Sequence, residues 1–200
     1  MMTQFKKSLR VVLFGATGLV GREVLTQLEN NPQIFKIDVI GRRSVETSSP
    51  KTKFHFSDLE SVKNILNFPA DIALCCLGTT MAKAKSKEAF RHVDHDLVLN
   101  VARACSSVGI TTFGVISSIG ASINALSFYL KIKAEMEESL QKLSFDHLVI
   151  LRPSLLLGER IEIRHLEKFS QKFSTFISPL CGASKTIPFC QSLICSALFN

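Results

Sequence analysis

Three glycines at three-residue spacing, Gly15, Gly18 and Gly21, constrain this chain more than any other feature. They follow the apolar run Val11-Val12-Leu13-Phe14 and lead into a helical pattern through Val20, Val24, Leu25 and Leu28. A β-branched run and then a 3.6-residue period read as strand, tight turn and helix. That is the opening of a dinucleotide-binding βαβ unit. Gly15 turns where a Cβ would clash, Gly18 lets a pyrophosphate approach the backbone, and Gly21 lets helix and strand pack closely. The N–H groups of the helix's first turn, with the helix dipole behind them, then face the anion. The competing reading is a glycine-rich turn kept for packing alone.

The second strand decides which nucleotide such a turn would serve. Ile37-Asp38-Val39-Ile40 is apolar and ends in Gly41-Arg42-Arg43. An NAD site usually has an acidic residue at this strand end, on the adenosine ribose. Here Asp38 lies too early in the strand, and two guanidinium groups hold the position. Arginine suits a ribose 2′-phosphate through charge-assisted bidentate bonds, so NADP(H) is expected over NAD. The alternative is a solvated pair of loop arginines.

The 200 residues are 46% apolar and 20% charged, a globular composition with chain enough for a sizeable core. The net charge of +7 invites a nucleic-acid reading. However, the cations are dispersed, only Lys83, Lys85 and Lys87 cluster, and no basic block interleaves with aromatics. No nucleic acid is expected; the excess charge suits a phosphorylated cofactor. The six cysteines show no C-x-x-C spacing. Cys75 and Cys76 are adjacent in an apolar run, one for each side of a strand, which points to buried thiols in a reducing, cytoplasmic compartment. Lys6, Lys7 and Arg10 before an apolar run resemble a signal peptide, but the glycines break that run and it reads as the first strand. No apolar run approaches the ~20 residues that span a membrane.

Pro32 ends the first helix. Phe54-His55-Phe56 is a short strand. Ser57-Asp58-Leu59-Glu60 has capping-box spacing and predicts a helix through Val62, Ile65 and Leu66. Asp58 and Leu59 stand where an adenine ring rests on this fold; Asp58 also reads as the helix cap. Asp71 to Leu77 is a buried central strand, with Gly78-Thr79-Thr80 at its carboxyl end, the edge where open α/β sheets bind ligands. Phe90 to Val108 predicts one long helix, with Val93, Leu97, Val101, Ala104 and Val108 inward. His92 and His95 share a face of it at i, i+3. With no third ligand nearby they read as solvated, and no metal is assigned. Gly109 caps that helix. Thr111 to Ile116 is a strand ending in Ser117-Ser118, and Phe145 to Leu151 is another. The alternation predicts an α/β, Rossmann-like, doubly wound and mainly parallel sheet with helices on both faces. A single domain over 1–200 is expected, with a short substrate-side segment from about residue 153.

Tyr129 and Lys133 at i, i+4 project from one helix face, and Ser117 and Ser118 end the strand before it. A tyrosine, with its ordinary pKa of about 10, is a poor neutral-pH acid or base. A neighbouring ammonium favours the phenolate and brings the group nearer working pH. The phenol can then protonate a carbonyl oxygen as hydride reaches carbon, the lysine can hold the nicotinamide ribose, and a serine can bond the same oxygen. Ser117 is preferred to Ser118 for its spacing from Tyr129. The bland reading is a core-edge tyrosine beside a surface lysine.

The glycine turn, strand-end serines and Tyr-x-x-x-Lys resemble the short-chain dehydrogenase/reductase superfamily. Cys75-Cys76-Leu77-Gly78-Thr79-Thr80, Val93-Asp94, Ser117-Ser118-Ile119-Gly120-Ala121, Tyr129 to Lys133, and Phe145-Asp146 with Arg152-Pro153 resemble its atypical members related to the human Tat-interacting oxidoreductase. The resemblance implies NADPH contacts at Gly15, Ala16, Thr17, Gly18, Leu19, Val20 and Gly21. It implies others at Arg42, Arg43, Leu77, Gly78, Tyr129, Lys133, Leu156 and Arg164, with Tyr129 as proton donor. Met81 and Lys85 stand where the relatives carry arginine and glycine. Ile187-Pro188-Phe189 resembles a late segment beyond which relatives run further, so a reduced substrate cover is expected. Two functions follow: a reductase acting on a small carbonyl or alcohol, or an NADPH-sensing protein that engages a protein partner without turnover. Apolar helix faces bury equally well in a core or against a second copy, so oligomeric state stays open.

Overall fold

The computed structural model describes residues 8–153 and the backbone pairings at 156–157 and 184–185. Six strands make one sheet: β1 (Leu9–Phe14), β2 (Ile34–Gly41), β3 (Thr52–Phe56), β4 (Ile72–Cys75), β5 (Thr112–Ile116) and β6 (His147–Leu151). All neighbours are parallel, in the order β3-β2-β1-β4-β5-β6. The α/β doubly wound expectation is met. The chain crosses from one side of β1 to the other between β3 and β4. This switch point opens a crevice at the carboxyl ends of β1 and β4. A separate parallel pair joins β7 (Leu156–Leu157) to β8 (Ser184–Lys185).

The core is two layers because β1 is buried on both faces. Val12 and Phe14 pack with Val98, Val101, Met136 and Leu140, from α4 (Leu97–Ser107) and α5 (Phe128–Gln141). Val11 and Leu13 pack with Val24, Leu25 and Leu28 of α1 (Leu19–Asn30). Each such buried side chain contributes about 2 kcal/mol of transfer free energy. The same alternation sends Cys75 into the first layer and Cys76 against the second.

Two elements differ from expectation. No helix follows Ser57. Ser57 Oγ accepts from Leu59 N at 3.0 Å, and Asp58 Oδ1 accepts from Glu60 N and Ser61 N at 2.9 and 3.3 Å. Leu59 adopts φ +75°, and only a 3₁₀ turn forms, at Val62–Asn64. The side-chain oxygens therefore close a turn instead of capping a helix. From α4, Asn100 Nδ2 donates to the Leu59 and Glu60 carbonyls at 2.6 and 2.8 Å, which holds the segment there. Second, the long helix is interrupted. After α2 (Met81–Ala84) come α3 (Lys87–Arg91), a π turn at His92–Asp96, and then α4. The π turn swings His95 inward. It is buried, its ring bonding Asp96 Oδ1 at 2.7 Å and Ser139 Oγ at 3.4 Å, so it is not the solvated residue expected.

Asp38 has a role that sequence reading missed. It is fully buried, with Arg10 Nε 2.7 Å from one carboxylate oxygen and His55 Nε2 2.7 Å from the other. Burial pushes its pKa up, but the hydrogen bonds and charges of Arg10 and His55 outweigh that and hold it below the ordinary 3.8. Arg10 also lies over the Phe68 ring, 4.2 Å from its centre.

Candidate functional site

The turn between β1 and α1 forms one wall of the site. Gly15 has φ +77°, and a Cβ there would lie 2.5 Å from the Cys76 carbonyl oxygen. At Gly21 a Cβ would lie 2.2 Å from the Gly15 carbonyl oxygen. Only glycine fits either place. Gly18 N donates to Gly15 O at 3.0 Å and closes the turn. Gly18 is also the N-cap of α1 and, lacking a side chain, leaves the helix start uncovered. Leu19 begins the helix and Val20 is buried behind the turn.

A cleft opens beside this turn at the carboxyl edge of the sheet. It is lined by Gly15, Ala16 and Thr17 on one side, Val39 to Arg43 on another, and Leu59 and Leu77. Arg42 and Arg43 are exposed, and Arg43 Nη2 donates to Thr17 Oγ1 at 3.2 Å. The end of β2 is thereby tied to the glycine turn. Leu59 is buried in the cleft wall, whereas Asp58 is exposed and not among the lining residues. Asp58 holds its own turn, so it is not the helix cap expected.

The serine, tyrosine and lysine candidates are not among the residues lining that cleft; they lie just after β5 and on α5. Ser117 is buried, and its Oγ has no hydrogen-bond partner among the described residues. Ser118 Oγ donates to the Ile119 carbonyl at 3.3 Å. Tyr129 is half-buried, edge-on to Phe90 at 5.7 Å between ring centres. Lys133 is buried, with Nζ 2.8 Å from Asp94 Oδ1 and donating to the Ile116 carbonyl at 3.3 Å. It is no surface lysine. The other Asp94 oxygen accepts from Thr79 N at 2.7 Å, just past Gly78, whose Cβ would meet Asp94 Oδ1 at 3.4 Å. Asp94 was part of the resemblance, yet nothing in the sequence paired it with Lys133. Leu156 falls in β7, where only the backbone is described, and Arg164 lies outside the described residues.

Lys85 has φ +66°. The backbone there keeps the left-handed turn that glycine adopts freely, at the C-cap of α2.

The family model HIM1 matches residues 28–185. The chain belongs to the HIM1 family. It is 35% identical over 173 residues to "Protein fmp52, mitochondrial" of Emericella nidulans, covering 82% of this chain and 74% of that one. It is 37% identical over 156 residues to the Candida albicans protein of the same name, covering 75% and 68%. It is also similar in fold to the Bordetella bronchiseptica enzyme WbmG in complex with NAD, with TM-score 0.73 and 13% identity over 98% of this chain and 71% of that one. A UDP-N-acetylglucosamine 4-epimerase from Methanobrevibacter ruminantium superposes with TM-score 0.72 and 18% identity, over 96% and 73%. These structures establish the Rossmann-like fold. The HIM1 relatives correct one expectation: several fungal members are named mitochondrial, against a cytoplasmic compartment. Buried thiols report burial and not a compartment, which is why the cysteines misled. Among the described residues no helix is long and apolar enough to cross a membrane.

Proposed function

We propose that this HIM1-family chain is a single-domain, NADP(H)-dependent oxidoreductase that moves hydride between the nucleotide and a small carbonyl or alcohol. The observation that carries the reading is the cleft at the switch point, with the glycine turn on one wall and Arg42 and Arg43 on the other. The cradle at Gly15 and Gly21 fits a dinucleotide, because side chains are excluded there and the start of α1 is uncovered. Residues Gly15 to Gly21 take the pyrophosphate. Arg42 and Arg43 take the 2′-phosphate, and Leu59 and Leu77 flank the adenosine. Asp58 and Gly78 lie outside the cleft's lining, and Leu156 and Arg164 complete the expected contacts. When bound, the nicotinamide supplies the hydride. Tyr129 gives its proton to the carbonyl oxygen, Ser117 donates a hydrogen bond to that oxygen, and Lys133 steadies the ribose beside them. The mitochondrial naming of the relatives supports a mitochondrial setting.

Tyr129→Phe removes the proton donor and leaves the cleft intact. A carbonyl-reduction screen against NADPH should show turnover in the parent, a loss of at least about a hundredfold in Tyr129→Phe, and NADPH affinity unchanged. An NADPH-sensing protein would instead bind NADPH equally in both and turn over nothing in either.

A further inference from the structure

The Tyr-x-x-x-Lys reading leaves one group unused, the buried carboxylate of Asp94. It reaches the site because of the π turn at His92–Asp96, which inserts an extra residue between α3 and α4. Such bulges concentrate at functional sites. This one is clamped to α5: Arg91 Nη1 bonds Glu135, and His95 bonds Ser139. His92 Nε2 meets Glu60 Oε1 at 3.1 Å. Phe90, just before it, is fully buried against Tyr129. The turn is therefore fastened to the same helix that carries Tyr129 and Lys133. Inside, Asp94 is 1% exposed and the Lys133 side chain 4%. A buried ammonium without a counter-charge is costly, and a single carboxylate at 2.8 Å provides one. The Cys75 thiol senses both groups. Burial pushes it up to about 12, while the nearby Lys133 and Asp94 charges pull in opposite directions.

We propose that Asp94 is a positioning residue for the nucleotide site: the Thr79 N–H fixes its carboxylate, and the carboxylate fixes the Lys133 ammonium against the Ile116 carbonyl. This rests on the cofactor reading above. Lys133 then presents to a bound nicotinamide ribose from one place, set by β4, β5 and the π turn together, and not from a freely rotating side chain. Tyr129, one helical turn away, acts beside a fixed charge.

The test is a double-mutant cycle with D94N, K133Q and D94N/K133Q, read by NADPH fluorescence titration and by thermal unfolding. Asparagine keeps the size of aspartate but removes the ion pair in either amide orientation. D94N should weaken NADPH binding about tenfold, K133Q about equally, and the double variant no more than about twofold beyond either. Each single variant should melt below the parent, and the double should recover part of the loss, since no charge is left unmatched. Parental NADPH affinity in folded D94N would overturn the proposal, because a merely structural carboxylate changes melting alone. Losses that add in full would overturn it too, because Asp94 would then act independently of Lys133. Should the single variants not fold, the double variant decides: affinity about tenfold below the parent supports the proposal, and parental affinity overturns it. If the parent itself binds no nicotinamide nucleotide, the cofactor reading fails before any variant is compared, and this inference falls with it.

Discussion

A methyl group at Gly21 would sit 2.2 Å from the Gly15 carbonyl oxygen, and its three nearest neighbours are all backbone atoms. Gly21→Ala should therefore cost about 3 kcal/mol, read as a lower denaturation midpoint with unchanged slope. Lys85 presents the opposite case. It holds φ +66° where glycine would rest without strain, so Lys85→Gly should raise stability by about 1 kcal/mol. Asp38 carries a pH signature. Its folded pKa lies below the ordinary carboxylate value, so the folded protein binds this proton less readily than the unfolded chain. The stability it contributes is fully present above the ordinary carboxylate range and is lost as pH falls through the folded pKa. Asp38→Asn should cost about 2 kcal/mol near neutrality, and its stability should fall less steeply than the parent's between about pH 5 and 3. Equal slopes would mean that the Arg10–Asp38–His55 cluster contributes no linkage.

Elements were legible where one periodicity ran unopposed. The β1 run, the α1 stripe and the β5 run are each buried as their patterns required, and Gly109 ends α4 at φ +84°. Where two local structures competed, sequence could not decide. The Ser57-Asp58-Leu59-Glu60 spacing satisfies a capping box, but the same oxygens close a turn, and the distant Asn100 fixes the choice. The π turn left no trace either, because one extra residue in a helix preserves most of its apolar stripe. Hence Tyr129, Lys133 and the serines could be proposed from spacing, whereas the Asp94–Lys133 pair could not. That pair needs the inserted residue and the packing of two helices that are distant in sequence. Asp38 was hidden for a similar reason: its partners come from β1 and β3, and only the pairing register of three strands brings them together. Asn100 gives this scale its own prediction. Asn100→Leu removes both bonds to the Leu59 and Glu60 carbonyls and should cost about 2 kcal/mol, with amide hydrogen exchange rising in residues 57–66 before it rises in the sheet.

At the scale of the molecule, the parallel order places several candidate groups at the carboxyl ends of neighbouring strands. The glycine turn leaves β1, the arginines leave β2, Gly78 and Thr79 follow β4, and the serines follow β5. Apolar layers cover the sheet on both faces. The proposed nucleotide site rests on this common placement and on the arginine-flanked cleft. The most direct test is a fluorescence titration with NADPH and with NADH, on the parent and on Arg42→Ala/Arg43→Ala. NADPH should bind the parent at least about tenfold more tightly than NADH, and the double variant should lose that preference because a charge-assisted phosphate contact is gone. Binding of neither nucleotide by the parent would contradict a nucleotide site in this cleft.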